Sequence, residues 1–298
     1  MTVSCVRHTM STAAFLMSKG FTAPNTMTTL GRRFFSNLEG MVVNDLSASS
    51  LKSLLKGKYL AIVIPDFSSA EVCHVVAKRI FAHDYEYYTY AQGVVGRYGM
   101  SFSEVGENAQ MFTKYYTSAI SSVKNIRNLF VPYISPIDKL RLELQETWPK
   151  GAVLESFHPG HKMFVGLCRV IDQNKQVLPH QDMIHWDAKG EALVEASKII
   201  NQLAVNVYLQ MPPKGGELEL WNFGIRELSK YEQMAEGTYG IEKSKLPPPT
   251  ITLKPKIGDL IIFCPQRLHC ILPGSEKRLT MSSFIGYRGK EFPLSFWS

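Results

Sequence analysis

Leu178-Pro179-His180-Gln181-Asp182, then Gly258-Asp259-Leu260-Ile261-Ile262-Phe263 with His269 beyond it, then Lys277-Arg278-Leu279-Thr280-Met281-Ser282: the reading of these three pieces decides the fold. His180 and Asp182 are two residues apart, so on an extended strand both side chains point to the same face. His269 lies far along the chain and reaches the same point only if strands close into a barrel. Two imidazoles and one carboxylate occupy one face of a metal ion and leave the other open, which is the donor set of non-haem Fe(II) sites. A second His-x-Asp, His185-Trp186-Asp187, follows five residues later. The first is preferred because His180 follows the β-like pair Val177-Leu178. His185 is then either a substrate-pocket residue near the metal or an ordinary polar residue of a loop.

Outward from these pieces the second half of the chain reads as strands. Met163 to Ile171 and the Val177 region flank Asp172-Gln173-Asn174-Lys175, which reads as a hairpin turn. Leu203 to Leu209, Glu217 to Trp221, Ile257 to Cys264, Cys270 to Leu272 and Arg278 to Tyr287 are further strands. Glu191 to Ile199 reads as a short helix, and the polar residues 226–250 as an insertion. The first half reads differently. Helices are expected over Ser47 to Lys56, Glu71 to His83, Ala109 to Leu129 and Pro136 to Trp148, with one buried strand, Tyr59 to Ile64. Residues 84–105, rich in Tyr and Gly, read as irregular structure. Helices first and strands after predict an α+β fold, an antiparallel barrel or jelly roll on a supporting N-terminal helical layer.

The 298 residues carry a net charge of +7, with 45% hydrophobic and 20% charged residues, as in an ordinary globular protein. Five scattered cysteines without a CxxC argue against a disulfide framework and for a reducing compartment. No apolar run approaches the ~18 residues of a membrane helix, and no Lys/Arg stripe interleaved with aromatics marks a nucleic-acid surface. Residues 1–37 contain Arg7, Lys19, Arg32 and Arg33 and no acidic residue. They read as a basic extension or organellar transit-like segment before a domain over 38–298, which predicts an intracellular protein, cytoplasmic or organellar.

The chain resembles the Fe(II)- and 2-oxoglutarate-dependent dioxygenases. The likeness rests on His180-Gln181-Asp182, on Gly258-Asp259 with His269 after it, on Arg278 nine residues beyond His269, and on the turn Pro212-Pro213-Lys214-Gly215-Gly216. More narrowly, it is similar to a small-molecule tailoring branch that includes the indole-alkaloid halogenases; Phe296-Trp297-Ser298 and residues 215–222 carry that likeness. Those halogenases have Gly where this chain has Asp182, so Asp182 points to oxygenation or oxidative ring closure instead of halogenation. The resemblance implies a double-stranded β-helix (jelly roll, cupin-like), with Fe(II), 2-oxoglutarate and dioxygen as the reacting set. It assigns His180, Asp182 and His269 to the metal.

The far carboxylate of 2-oxoglutarate calls for a planar, bidentate cation, which Arg278 supplies better than Lys. Thr280 and Ser282 share its strand face, and Asn206 with Tyr208 form a second pair toward the cosubstrate. Arg288, ten residues beyond Arg278, is expected at the surface, as are His74, His83, His158 and His161 at the surface or in satisfied core positions. The implied activity is C–H abstraction on a small, anionic, amino-acid- or alkaloid-like metabolite, ending in hydroxylation or in cyclisation as in kainoid synthases. The rival readings are a protein side-chain hydroxylase, which needs an open groove, and a non-catalytic jelly-roll binding protein.

Overall fold

Polar residues in front of apolar runs set the helices of the first half. Ser47 caps α1 (Ala48–Leu55) by accepting from the Ser50 amide. β1 (Ala61–Ile64) follows, and Ser69 accepts from the Val72 amide to open α2 (Ala70–Phe81). After β2 (Glu86–Tyr87) and β3 (Val95–Tyr98), Asn108 caps α3 (Ala109–Phe130), and Pro136 begins α4 (Pro136–Thr147) at the position where a missing N–H costs nothing. β4 (Ala152–Leu154), β5 (Leu167–Ile171) and β6 (Val177–His180) lead to two short helices, α5 (Ile184–Asp187) and α6 (Gly190–Ala196). Next come β7 (Asn201–Gln210), β8 (Leu218–Leu220), α7 (Leu228–Ala235), β9 (Ile251–Leu253), β10 (Leu260–Phe263), β11 (His269–Ile271), β12 (Arg278–Tyr287) and β13 (Leu294–Trp297). This computed structural model describes residues 46–88, 93–106 and 108–298. The expectations for residues 1–37, and for Tyr90, lie outside the described residues.

The strands form two sheets. The larger runs β1-β10-β7-β12-β5-β3-β2, with β13 beside β12 and β4 beside β13; the smaller runs β6-β11-β8-β9. All pairings are antiparallel except β13 with β4. The helices pack on the larger sheet, α2 touching β7 and α4 touching β12. α2 turns Cys73, Val76, Ala77 and Ile80 into the core at helical spacing. Burying Val76 or Ile80 contributes roughly 1.5–3 kcal/mol each. A second cluster of Trp221, Ile225, Tyr231, Ile241 and Leu268 backs the smaller sheet. Asp259, buried at the entry to β10, accepts from the Lys256 amide at 2.8 Å and so fixes the turn rather than serving the site.

Two expectations need correction, and a third gains detail. Asp172 to Lys175 form a turn, closed from Lys175 N to Asp172 O at 3.1 Å, but not a hairpin, because β5 and β6 lie in different sheets. β5 is sandwiched between β12 and β3, whereas β6 pairs with β11. The Tyr/Gly-rich stretch supplies β2 and β3 on the edge of the large sheet; there Arg97 is buried and compensated by Glu86 at 2.9 Å and Glu104 at 2.6 Å. The polar insertion holds α7, whose Tyr231 and Ala235 sit one turn apart on a buried face.

Candidate metal centre

β6 and β11 are antiparallel neighbours, and His180 stands directly opposite His269 with ring centroids 4.2 Å apart. In each ring Nδ1 faces a carbonyl: His180 Nδ1 lies 2.8 Å from Leu178 O, and His269 Nδ1 lies 3.0 Å from Arg267 O. A carbonyl can only accept, so the neutral tautomer these contacts select carries its proton on Nδ1 and its lone pair on Nε2. Both Nε2 atoms face Asp182, at 3.8 Å for His180 and 3.5 Å for His269. The three ligand atoms lie within 4.8 Å of one another, a spacing that can hold one metal ion.

The electrostatics suit a ligand set. Burial, then the neighbouring His269, pushes the His180 imidazole down to about 4, so it is neutral at pH 7. Burial alone would raise Asp182, but its neighbours His269, His180 and Arg169 hold its carboxyl well below the usual range. Neutral imidazoles with an ionised carboxylate are the donors a divalent cation needs.

The residue between the two ligands fixes them to the loop before His269. Gln181 points away from the metal face, and its Nε2 donates to Gln266 O at 2.7 Å while its Oε1 accepts from Ile225 N at 2.7 Å. The Asp182 amide donates to Pro265 O at 3.0 Å. On the other side the insertion docks against β6. Tyr239 Oη accepts from Leu178 N at 3.0 Å and Ile241 N donates to Pro179 O at 2.7 Å. Gly240 is required there, since a Cβ would sit 2.9 Å from Pro179 O and 2.7 Å from Leu178 Cβ.

A cavity of about 300 Å³ opens over the three ligands. Arg278, 4% exposed, lines it, as do Thr280 and Asn206. Burial lowers the Arg278 pKa. Its Nε has no hydrogen-bond partner, and among the described residues no carboxylate pairs with it. Tyr208 does not line the cavity; its ring lies 5.0 Å from the guanidinium and supports it from behind. Ser282 is likewise set back. Its hydroxyl accepts from Arg169 Nη1 at 2.5 Å and donates to Leu167 O at 3.0 Å, so it holds Arg169 rather than a cosubstrate. Arg288 is not at the surface but pairs with the buried Glu155 at 2.7 Å. His185 stays out of the cavity, while its neighbours Trp186 and Asp187 line it.

A family model described as "Carrier-protein-independent halogenase WelO5" matches residues 35–298. The chain belongs to this family. It lies within the Fe(II)- and 2-oxoglutarate-dependent oxygenase superfamily. It is similar to the L-gamma-glutamyl-L-propargylglycine hydroxylase of Streptantibioticus cattleyicolor, 26% identical over 130 residues, which are 43% of this chain and 46% of that one. It is similar also to the L-isoleucine 3(1)-dioxygenase of Pantoea ananatis, 28% identical over 140 residues, or 44% and 45% of the two chains. Each match thus spans a little under half of the relative. In fold it is similar to an N-substituted L-amino acid dioxygenase from Burkholderia ambifaria, with TM-score 0.57 and 14% identity over 84% of this chain and 91% of the other. Sequence reading missed Arg169, whose signal was a lone cation within the apolar run Leu167-Cys168-Arg169-Val170-Ile171. It also missed Tyr231 and Tyr239, which the insertion brings to the cavity wall. No helix among the described residues is long and apolar enough to cross a membrane.

Proposed function

We propose that the protein is an Fe(II)- and 2-oxoglutarate-dependent oxygenase of a small amino-acid-like metabolite. One observation carries the reading: a complete His180, Asp182, His269 set shares a cavity with a buried guanidinium that no described carboxylate claims. The residues fit both groups. His180, Asp182 and His269 would hold the iron, and Arg278, steadied by Tyr208 and flanked by Thr280, would hold the far carboxylate of 2-oxoglutarate. Asn206 lines the wall beside them. With dioxygen, the bound pair supplies an oxidant that removes a hydrogen atom from an unactivated C–H bond.

The chain's own groups do the rest. The Nδ1 hydrogen bonds keep both Nε2 lone pairs aimed at one point. Asp182 fills the third protein position, which favours oxygen transfer or ring closure over halide incorporation. Arg169 on the cavity wall supports an anionic substrate, and the activities named for the relatives support an amino-acid-like one. We read the two sheets as the faces of a double-stranded β-helix, residues 38–298 as its domain and residues 1–37 as an extension. Kainoid-synthase-like ring closure is the finer reading held beside hydroxylation, and the product's mass separates them: gain of one oxygen atom, or loss of two hydrogens.

The test is anaerobic loading with Fe(II) and 2-oxoglutarate, followed by the metal-to-ligand absorption band, then oxygen with a panel of amino-acid metabolites. The expected result is a band in the wild type, its loss in His269→Ala, and succinate formed together with a modified metabolite. Wild-type 2-oxoglutarate consumption by His269→Ala overturns the reading.

A further inference from the structure

Among the described residues, Asp187 is the carboxylate on the cavity wall that this reading leaves without a task. It ends α5, follows Trp186 and lines the cavity, and α5 packs against residues 102–104. Among the described residues its carboxylate has no ion-pair partner; Lys189 acts on it only at a distance. Burial, and then repulsion from Asp182, push its carboxyl up to about 7. An ionised Asp187 is therefore poorly compensated by the protein itself.

The charges of the loaded site sharpen the point. A ferrous ion on Asp182 keeps one positive charge. That charge and Arg278 together balance the two carboxylates of 2-oxoglutarate. Among the described residues, the other charged side chains on the cavity wall are one cation, Arg169, hydrogen-bonded to Ser282 and Tyr88, and one anion, Asp187. That pair is the complement of a zwitterion. A cation would hold Asp187 in its ionised form, whereas a neutral N–H or O–H leaves that form without a counter-charge, which is costly. An ammonium also suits the neighbouring wall. The Trp186 and Tyr231 rings, 5.2 Å apart, both border the cavity, and aromatic faces attract cations.

We propose that Asp187 is the substrate-specificity residue that anchors a protonated amine, so that the substrate is a zwitterion with its carboxylate toward Arg169 and its ammonium toward Asp187. The proposal rests on the Fe(II)/2-oxoglutarate reading of the site, and the test keeps the two apart.

The full chain is loaded anaerobically with Fe(II) and 2-oxoglutarate, and appearance of the absorption band checks the parent reading first. Perturbation of the band then reports the binding of L-leucine, L-phenylalanine and L-glutamate, each against its deamino counterpart, 4-methylpentanoate, 3-phenylpropanoate and pentanedioate. In the wild type at least one amino acid is expected to bind roughly tenfold or more tightly than its partner, the scale of a charge-assisted hydrogen bond. In Asp187→Asn, and independently in Asp187→Ser, that preference falls to within about twofold, with 2-oxoglutarate affinity unchanged, as expected of a residue that touches only the substrate. A band with no preference in the wild type, or with neither member of any pair binding, overturns the proposal. So does a preference that survives both substitutions. Absence of the band in the wild type fails the parent reading instead.

Discussion

Arg278→Met removes the guanidinium while keeping much of the length of the side chain, and the structure predicts effects of opposite sign with and without cosubstrate. In the free protein Arg278 is 4% exposed and its Nε has no partner. Burying a charge without a counter-charge costs several kcal/mol; stacking on Tyr208 at 5.0 Å returns about 2 kcal/mol of that. The variant without ligand is therefore expected to be as stable as the wild type or about 1 kcal/mol more so, which for a domain of this size moves Tm by roughly 2–4 °C. With 2-oxoglutarate the order reverses. Losing a charge-assisted bidentate pair costs roughly 1.5–3 kcal/mol, or about one to two orders of magnitude in Kd. The ligand-induced rise in Tm should shrink accordingly. Arg278→Lys recovers only part, because an ammonium cannot match the carboxylate fork. Thermal unfolding with and without 2-oxoglutarate, beside titration of the absorption band, measures both arms. A variant that unfolds several degrees lower when free, yet keeps the wild-type ligand shift, would refute the reasoning and make Arg278 a structural cation.

His269→Ala should lose Fe(II) in a chelator competition while retaining its far-ultraviolet circular dichroism, since the backbone of β11 pairs on both sides without the ring. Arg288→Ala should lower unfolding free energy in denaturant by about 3 kcal/mol, because the buried Glu155 carboxylate 2.7 Å away loses its counter-charge, and should leave 2-oxoglutarate affinity alone. For the metal-free protein, His180 titrates at about 4 when folded against 6.5 ordinarily. The unfolded chain thus takes up the proton first, and stability present above pH 6.5 drains away as pH falls toward 4, by about 3 kcal/mol in all; a flat profile over that window would contradict the buried neutral ring. Gly224→Ala would place a Cβ 2.2 Å from Gln266 O and 2.7 Å from Gln181 Nε2. Metal affinity should fall by about 10–100-fold through displacement of groups that orient the ligands, and unchanged affinity would show that the Gln181 contact is dispensable.

The clustering of the candidate ligands was legible because their chemistry is confined to few residue types at a strand spacing: His180 and Asp182 two apart, His269 after a Gly-Asp turn. The helices were legible from their caps, with Ser69 and Asn108 opening α2 and α3. What failed was long-range pairing. Asp172 to Lys175 have the residues of a hairpin turn, but which sheet each flanking strand joins is settled by partners over a hundred residues away, such as Met281 opposite Cys168 and His269 opposite His180. β3 was missed because Arg97 reads as exposed until Glu86 and Glu104 are seen to neutralise it. Arg288 was misjudged for the same reason: its partner Glu155 is remote in sequence. Ser282 shares a strand face with Arg278, but a shared face does not reveal that the Arg169 guanidinium already occupies its hydroxyl.

The Gln181 contacts make the candidate metal ligands separable parts. The position of residue 182 is set by its own amide on Pro265 O and by the Gln181 side chain gripping the loop at Gln266 and the Ile225 backbone. None of these bonds involves the Asp182 carboxylate. The side chain at 182 is thus a replaceable cartridge in a socket held by other residues. A lineage can exchange it, carboxylate for a smaller group or the reverse, and change what shares the metal without first rebuilding the strand that carries His180.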